Sequence, residues 1–292
     1  MVLPKILIAL AAAPLGRVSQ YKKFGEIQRA SLRRRALTTL DTLGVSGPAR
    51  DVNRFCRRSI RKTNKAIRAR MLSGWRPMVP ERQFEVCCRD AIRLLRSKNP
   101  NHQFGDYLEF GVSRGTSLAC MHRVLQSEGL SNVRLLGFDS FEGLPPEAKA
   151  EGWAPGAFYS TMATTRRYLR SRGVDLKRVV LTKGWFKNTL TDKTRQRIGI
   201  TDSSLIMVDC DMYSAARQAL WFCEPCIQDR AVIFFDDWAS KSVEHNIGEK
   251  EAFREFLDAF PSLQADPLSS YSSNARVFVL TRRNLSEPER SR

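Results

Sequence analysis

Residues 231–238 read AVIFFDDW, five apolar residues running straight into two adjacent carboxylates, Asp236 and Asp237. A short apolar run bounded by polar residues is the pattern of a strand buried on both faces of a parallel sheet. Its carboxyl end then carries two neighbouring acids, and buried carboxylates are costly unless strong donors or a positive charge meet them. The strand before it repeats the arrangement: residues 204–211, SLIMVDCD, end on Asp209 and Asp211. Adjacent strand ends would bring three or four carboxylates to one place. Protons or a hard divalent cation such as Mg²⁺ would relieve them, and an oxygen-only ligand set favours the cation. The plainer alternative has these acids capping helices and pairing with Lys or Arg.

Outward from this pair, the pattern is regular. A helix is expected over 81–97, a strand over 106–112 (DYLEFGV), a helix over 116–128 and a strand over 133–141 (VRLLGFDSF). A loop rich in Gly, Pro and Ala leads to a helix near 162–172, a strand over 178–186 (RVVLTKGWF) and a polar helical stretch. The strand at 204–211, a helix over 214–227, the strand at 231–237, a helix near 248–260 and a last strand over 275–282 complete the series. Strands alternating with helices predict an α/β, doubly wound, Rossmann-like parallel sheet with helices on both faces. In such sheets ligands bind outside the carboxyl ends of the strands.

Those ends carry further signals. In LEFGVSRGTS (108–117), Gly111 and Gly115 suit a tight strand-to-helix turn that a ligand can approach closely, and Glu109 suits a cationic or amine-bearing ligand. A tight turn without a ligand explains the glycine pair equally well. Asp139, in GFDSFEG, ends the next strand and is placed to accept the hydroxyls of a ribose. Gly184, Trp185 and Phe186 end the third with a flat apolar surface fit for an adenine, although aromatic pairs more often belong to a core.

The 292 residues carry a net charge of +18, and it is unevenly spread. Residues 1–76 hold eighteen Lys and Arg against Glu26, Asp41 and Asp51, a net +15, which leaves the other 216 residues near neutral at +3. The chain therefore divides into a basic, mainly helical N-terminal arm (1–76) and a domain over 77–292. The arm suits a solvated helical face, an anionic membrane surface or an acidic partner. Nucleic acid ranks below these, because only Tyr21, Phe24 and Phe55 precede Trp75 as stacking residues. One reading lets the arm define the function, as an RNA- or membrane-binding protein or an RNA methyltransferase. Residues 6–16, ILIALAAAPLG, are too short to span a bilayer and only faintly resemble an export signal. Seven cysteines without a regular framework, the CEPC at 223–226 included, predict reduced core thiols in a cytoplasmic protein.

Taken together, YLEFGVSRGTSL, GFDSFEGLP, GWFKNTL, MVDCDMYSAARQAL and VIFFDDW resemble the macrocin O-methyltransferase group, the TylF/MycF/NovP-like enzymes, over roughly residues 80–282. The resemblance implies a class I S-adenosyl-L-methionine-dependent O-methyltransferase (EC 2.1.1 class) acting on a hydroxyl of a small molecule, plausibly a sugar or glycoside. It implies a Mg²⁺ or similar ion on Asp209, Asp236 and Asp237. Glu109, Gly111, Ser113, Gly115, Thr116, Asp139, Ser140 and Trp185 would then line the cofactor site. Asp209 and His245 are the candidates to accept the acceptor's proton. The sequence departs from the group's pattern at Cys210, where Gly is usual, at Trp238, where Tyr is usual, and at Ser113-Arg114, where Trp-Arg is frequent. The resemblance leaves open whether the chain forms a homo-oligomer.

Overall fold

A computed structural model of the protein describes residues 78–99, 103–239 and 247–283. The expectations for the arm (1–76), Cys56, His102 and His245 lie outside the described residues.

The described chain opens with α1 (Glu81–Lys98), whose buried Phe84, Cys88, Ile92 and Leu95 recur at helical spacing. Then follow β1 (Asp106–Phe110), α2 (Thr116–Ser127), β2 (Leu135–Asp139), a short 3-10 helix (Pro146–Glu151), α3 (Met162–Ser171) and β3 (Val179–Lys183). After α4 (Phe186–Thr189) and α5 (Asp192–Ile198) come β4 (Ser203–Val208), α6 (Tyr213–Cys223), β5 (Arg230–Phe235), α7 (Glu249–Ala259), β6 (Leu263–Leu268) and β7 (Arg276–Arg282).

The strands form one seven-stranded sheet in the order β3-β2-β1-β4-β5-β7-β6. The first five are parallel, as the βα alternation predicts. β7 and β6 are antiparallel additions, so the expectation of an all-parallel sheet is corrected at this edge. β6 was not foreseen, because LQADPL contains Asp266 and Pro267. A proline cannot donate to a ladder, and an edge strand is where that is tolerated. Order reverses between β1 and β4, which opens the crevice at the centre of the sheet.

Alternation along the central strands feeds two apolar layers. Val232 and Phe234 of β5 join Phe84, Leu118 and Met207 on one face, while Ile233 and Phe235 join Phe110, Phe222 and Phe253 on the other. Each fully buried Phe contributes about 1.5–3 kcal/mol through removal from water. The six described cysteines are free and buried within these layers, as expected of core thiols. His122 accepts the Asp175 backbone N–H at 3.1 Å and has a structural role. Among the described residues, no helix is long and apolar enough to cross a membrane.

Candidate active site at the strand ends

The carboxyl ends of the parallel strands surround a cavity of about 650 Å³. On its β1–β2 side lie Gly111, Ser113, Thr116, Asp139 and Ser140, and Trp185 faces it beyond β3. The turn after β1 depends on its first glycine. Gly111 has φ +92°, and a Cβ there would lie 1.6 Å from the Asp209 carbonyl oxygen. No side chain fits, so the turn can run against the end of β4. Asp139 is half-buried and fixes this turn, its carboxylate accepting the Ser113 N–H at 2.7 Å and the Phe141 N–H at 2.5 Å. Burial raises its pKa, and these donors, with the Val112 amide, oppose the rise.

Two residues of the expected cofactor set do not line the cavity. Gly115 starts α2 with φ +80°, and a Cβ there would press on Leu169 and Thr165 of α3; its smallness serves packing between helices. Glu109 is fully buried in the middle of β1. Its carboxyl accepts the Tyr107 hydroxyl at 2.5 Å and the Ser117 hydroxyl at 2.9 Å. Burial pushes its pKa up to about 8 against the pull of those donors, with the Asp139 charge adding to the rise. Strand alternation turns Glu109 into the apolar layer, and Ser117 stands between it and the cavity wall. Phe186 lines the cavity but also sets its ring edge on Phe110, 6.0 Å between centroids, so it is shared with the core.

On the β4–β5 side, Asp209, Asp236 and Asp237 each present an oxygen, all within 4.8 Å of one another. The charges that act most strongly on Asp209 are acids: Asp236, Asp237, Asp211 and Glu249. Burial first, then this repulsion, raises its pKa well above the carboxylate range. Asp236 rises to about 6 through burial, countered by the Tyr271 hydroxyl that donates to it at 2.6 Å. Asp211 sits in the left-handed region at φ +62° and rises to about 8 through burial and the charges of Asp237 and Asp236. Such an arrangement sets three like charges side by side. It fits a hard divalent cation, for which three close carboxylates in a partly dry pocket are a suitable donor set.

The supporting residues around these acids were not found from sequence. Tyr271 and Asn274, in the β6–β7 connection, bind Asp236, and Asn274 also reaches Asp237 at 3.3 Å. Glu249, fully buried at the start of α7, accepts backbone N–H groups from Cys210 and Asp237. Nothing in a loop tyrosine, asparagine or helix-start glutamate marks it as converging on a site 12 to 39 residues away in the chain. To the cavity lining, the loop from Ser140 to Ser160 contributes Trp153 and Phe158, whose rings meet edge to face at 6.2 Å. Trp238, the departure after the Asp pair, turns away to pack on Phe235 and Phe278. Cys210 is buried with its thiol near the Phe110 carbonyl oxygen.

The chain is 30% identical, over 145 residues, to a Streptomyces olivaceus enzyme described as 8-demethyl-8-(2,3-dimethoxy-alpha-L-rhamnosyl)-tetracenomycin-C 4'-O-methyltransferase. The match covers 46% of this chain and 53% of that protein, so the chain spans about half the length of the curated relative it matches. Among solved structures, the O-methyltransferase NovP aligns with TM-score 0.56 and 19% identity over 69% of this chain and 80% of its own. CalS11, a calicheamicin methyltransferase, aligns with TM-score 0.54 and 19% identity over 74% and 91%. These two likenesses show a shared fold. The profile of the macrocin-O-methyltransferase (TylF) family matches residues 93–259, the span that holds both the glycine turn and the acid cluster, and the chain belongs to that family.

Proposed function

We propose that the protein transfers a methyl group from S-adenosyl-L-methionine to a hydroxyl of a small-molecule acceptor, a sugar or glycoside, with Mg²⁺ or a similar ion at the acid cluster. The observation that carries this reading is one cavity bounded on one side by the Gly111 turn and Asp139, and on the other by Asp209, Asp236 and Asp237. The family match and the relative described as a rhamnosyl-tetracenomycin-C 4'-O-methyltransferase support it.

In this reading Gly111, Ser113, Thr116, Asp139, Ser140 and Trp185 hold the cofactor, with Asp139 accepting from ribose hydroxyls and Trp185 lying along the adenine. Asp209, Asp236 and Asp237 hold the cation. When bound, the two groups supply an activated methyl and a Lewis acid that lowers the pKa of the acceptor hydroxyl. The chain's own part is to orient acceptor and methyl for in-line transfer, to keep water out, and to take up the hydroxyl proton. Trp153 and Phe158 exclude water and offer an apolar wall to the acceptor. Asp209 is the proton acceptor we favour, with His245, outside the described residues, as the alternative.

Residues 77–292 form the catalytic domain in this proposal, in a cytoplasmic protein, as its free thiols suggest. The basic arm is proposed to contact an anionic membrane surface or an acidic partner, and a homo-oligomer remains compatible with this assignment.

Calorimetric titration of S-adenosyl-L-methionine into the wild type and the Asp139→Ala variant tests the reading. Micromolar binding that the variant loses, followed by Mg²⁺-stimulated methylation of a rhamnoside acceptor, is expected. A folded wild type that binds no S-adenosyl-L-methionine would refute it.

A further inference from the structure

β4 ends at Val208 and β5 at Phe235, and the two strands are paired at these residues. The ladder continues for one more amide on each strand. The Asp209 N–H reaches the Phe110 carbonyl at 2.9 Å, and the Asp236 N–H reaches the Val208 carbonyl at 3.1 Å. The next amide on each strand, that of Cys210 and that of Asp237, has run past its neighbour. A buried backbone N–H without an acceptor is costly. Both are met by one side chain. Oε1 of Glu249 accepts the Cys210 N–H at 3.3 Å, and Oε2 accepts the Asp237 N–H at 3.1 Å.

These two amides have a particular place in the chain. Each belongs to the peptide that directly follows a proposed cation ligand: Cys210 follows Asp209, and Asp237 follows Asp236 and is itself a ligand. The orientation of a peptide plane limits where the preceding side chain can point. A single carboxylate gripping both planes therefore sets how the ligands of one strand face those of the other. Glu249 is fully buried and outside the cavity lining, so it cannot touch a bound ion or acceptor directly. Its own position is set by α7, whose start is closed by a bond from the Gly248 N–H to the Glu251 carboxylate at 2.9 Å.

We propose that Glu249 is a positioning residue that clamps the ends of β4 and β5 together, so that Asp209, Asp236 and Asp237 converge into a cation site. The inference rests on the cation reading above and deepens it. The chemistry demands a carboxylate. Two backbone donors need two acceptor oxygens, and a glutamine offers one oxygen and one NH₂ group, which would oppose one of the amides. Residues that orient metal ligands without touching the metal commonly control affinity by about 10–100-fold.

The experiment measures Mn²⁺ binding by electron paramagnetic resonance for the full chain and for Glu249→Gln and Glu249→Asp, at a temperature well below the melting point of each. Titration with S-adenosyl-L-methionine serves as the internal control on the β1–β2 side of the cavity. The expected result is Mn²⁺ affinity at least tenfold weaker in Glu249→Gln, with S-adenosyl-L-methionine affinity within about twofold of wild type, a split that general loosening of the fold would not give. Glu249→Asp, which keeps both oxygens, should recover part of the affinity. Equal Mn²⁺ affinity in wild type and Glu249→Gln would overturn the clamp and leave the cation site standing. Loss of both ligands in parallel would also overturn it, since Glu249 would then only maintain the fold. A wild type that binds no Mn²⁺ would remove the cation site itself, and the clamp with it.

Discussion

Gly111 shows how a single position can be settled by its surroundings. Its φ of +92° lies in a region that side chains disfavour, and a Cβ would overlap the Asp209 carbonyl oxygen. Gly111→Ala is expected to destabilise the protein by about 3 kcal/mol or more, read from urea unfolding, because strained φ and steric overlap act together. Tyr271 makes a subtler case. Its hydroxyl donates to Asp236 at 2.6 Å and opposes the rise in that carboxyl's pKa to about 6. Tyr271→Phe removes the donor and keeps the ring, so the Asp236 pKa should climb further. A proton then competes with the cation most strongly in mildly acid solution. Divalent-cation affinity, followed by Mn²⁺ titration, should fall more at pH 6 than at pH 8 in this variant. An equal fall at both pH values would argue against the assignment.

At the scale of elements, β1 carries a buried acid through the centre of the sheet. Glu109 in the folded protein keeps its proton up to about pH 8, whereas the unfolded chain releases it near the ordinary glutamate value of 4.5. Between those values the folded state holds the extra proton, so stability declines as pH rises through this window. Glu109→Gln should flatten that stretch of the stability–pH curve, measured by chemical unfolding from pH 5 to 8. An unchanged slope would show that Glu109 ionises normally. Element positions were the most legible feature of the sequence. Unbroken apolar runs such as VIFF and LIMV, too short for a helix and bounded by polar residues, read as strands covered on both sides, and the helices between them carry a 3.6-residue stripe. β6 was illegible for the complementary reason: at a sheet edge, partners and not composition make a strand, and LQADPL owes its pairing to β7.

For the whole molecule, the acid cluster and Glu109 add contributions of one sign. Asp209, Asp211 and Asp236 all have raised pKa values, through burial first and then the charges of neighbouring acids. Without a divalent cation, the melting temperature should therefore fall as pH rises from about 5 to 8. Adding Mg²⁺ should lessen the fall, most strongly at the upper end, because the ion binds only the folded cluster. S-adenosyl-L-methionine at a hundred times its dissociation constant should add about 2.7 kcal/mol of stability by mass action. Thermal melts across pH, with and without each ligand, read both effects, and ligand-independent curves would contradict the assigned cavity.

The sequence by itself determined the strand–helix alternation, the carboxylates at adjacent strand ends, the acidic end of β2 and the glycine turn, because each is written in neighbouring residues with a fixed period or spacing. Tertiary structure alone decided the rest. It turned Glu109 away from the cavity, made Gly115 a packing contact, and brought Tyr271, Asn274 and Glu249 to the acids. Those outcomes depend on which strand ends lie side by side and on where loops return. They are contacts between residues far apart in the chain, and no local pattern of charge or hydrophobicity encodes them.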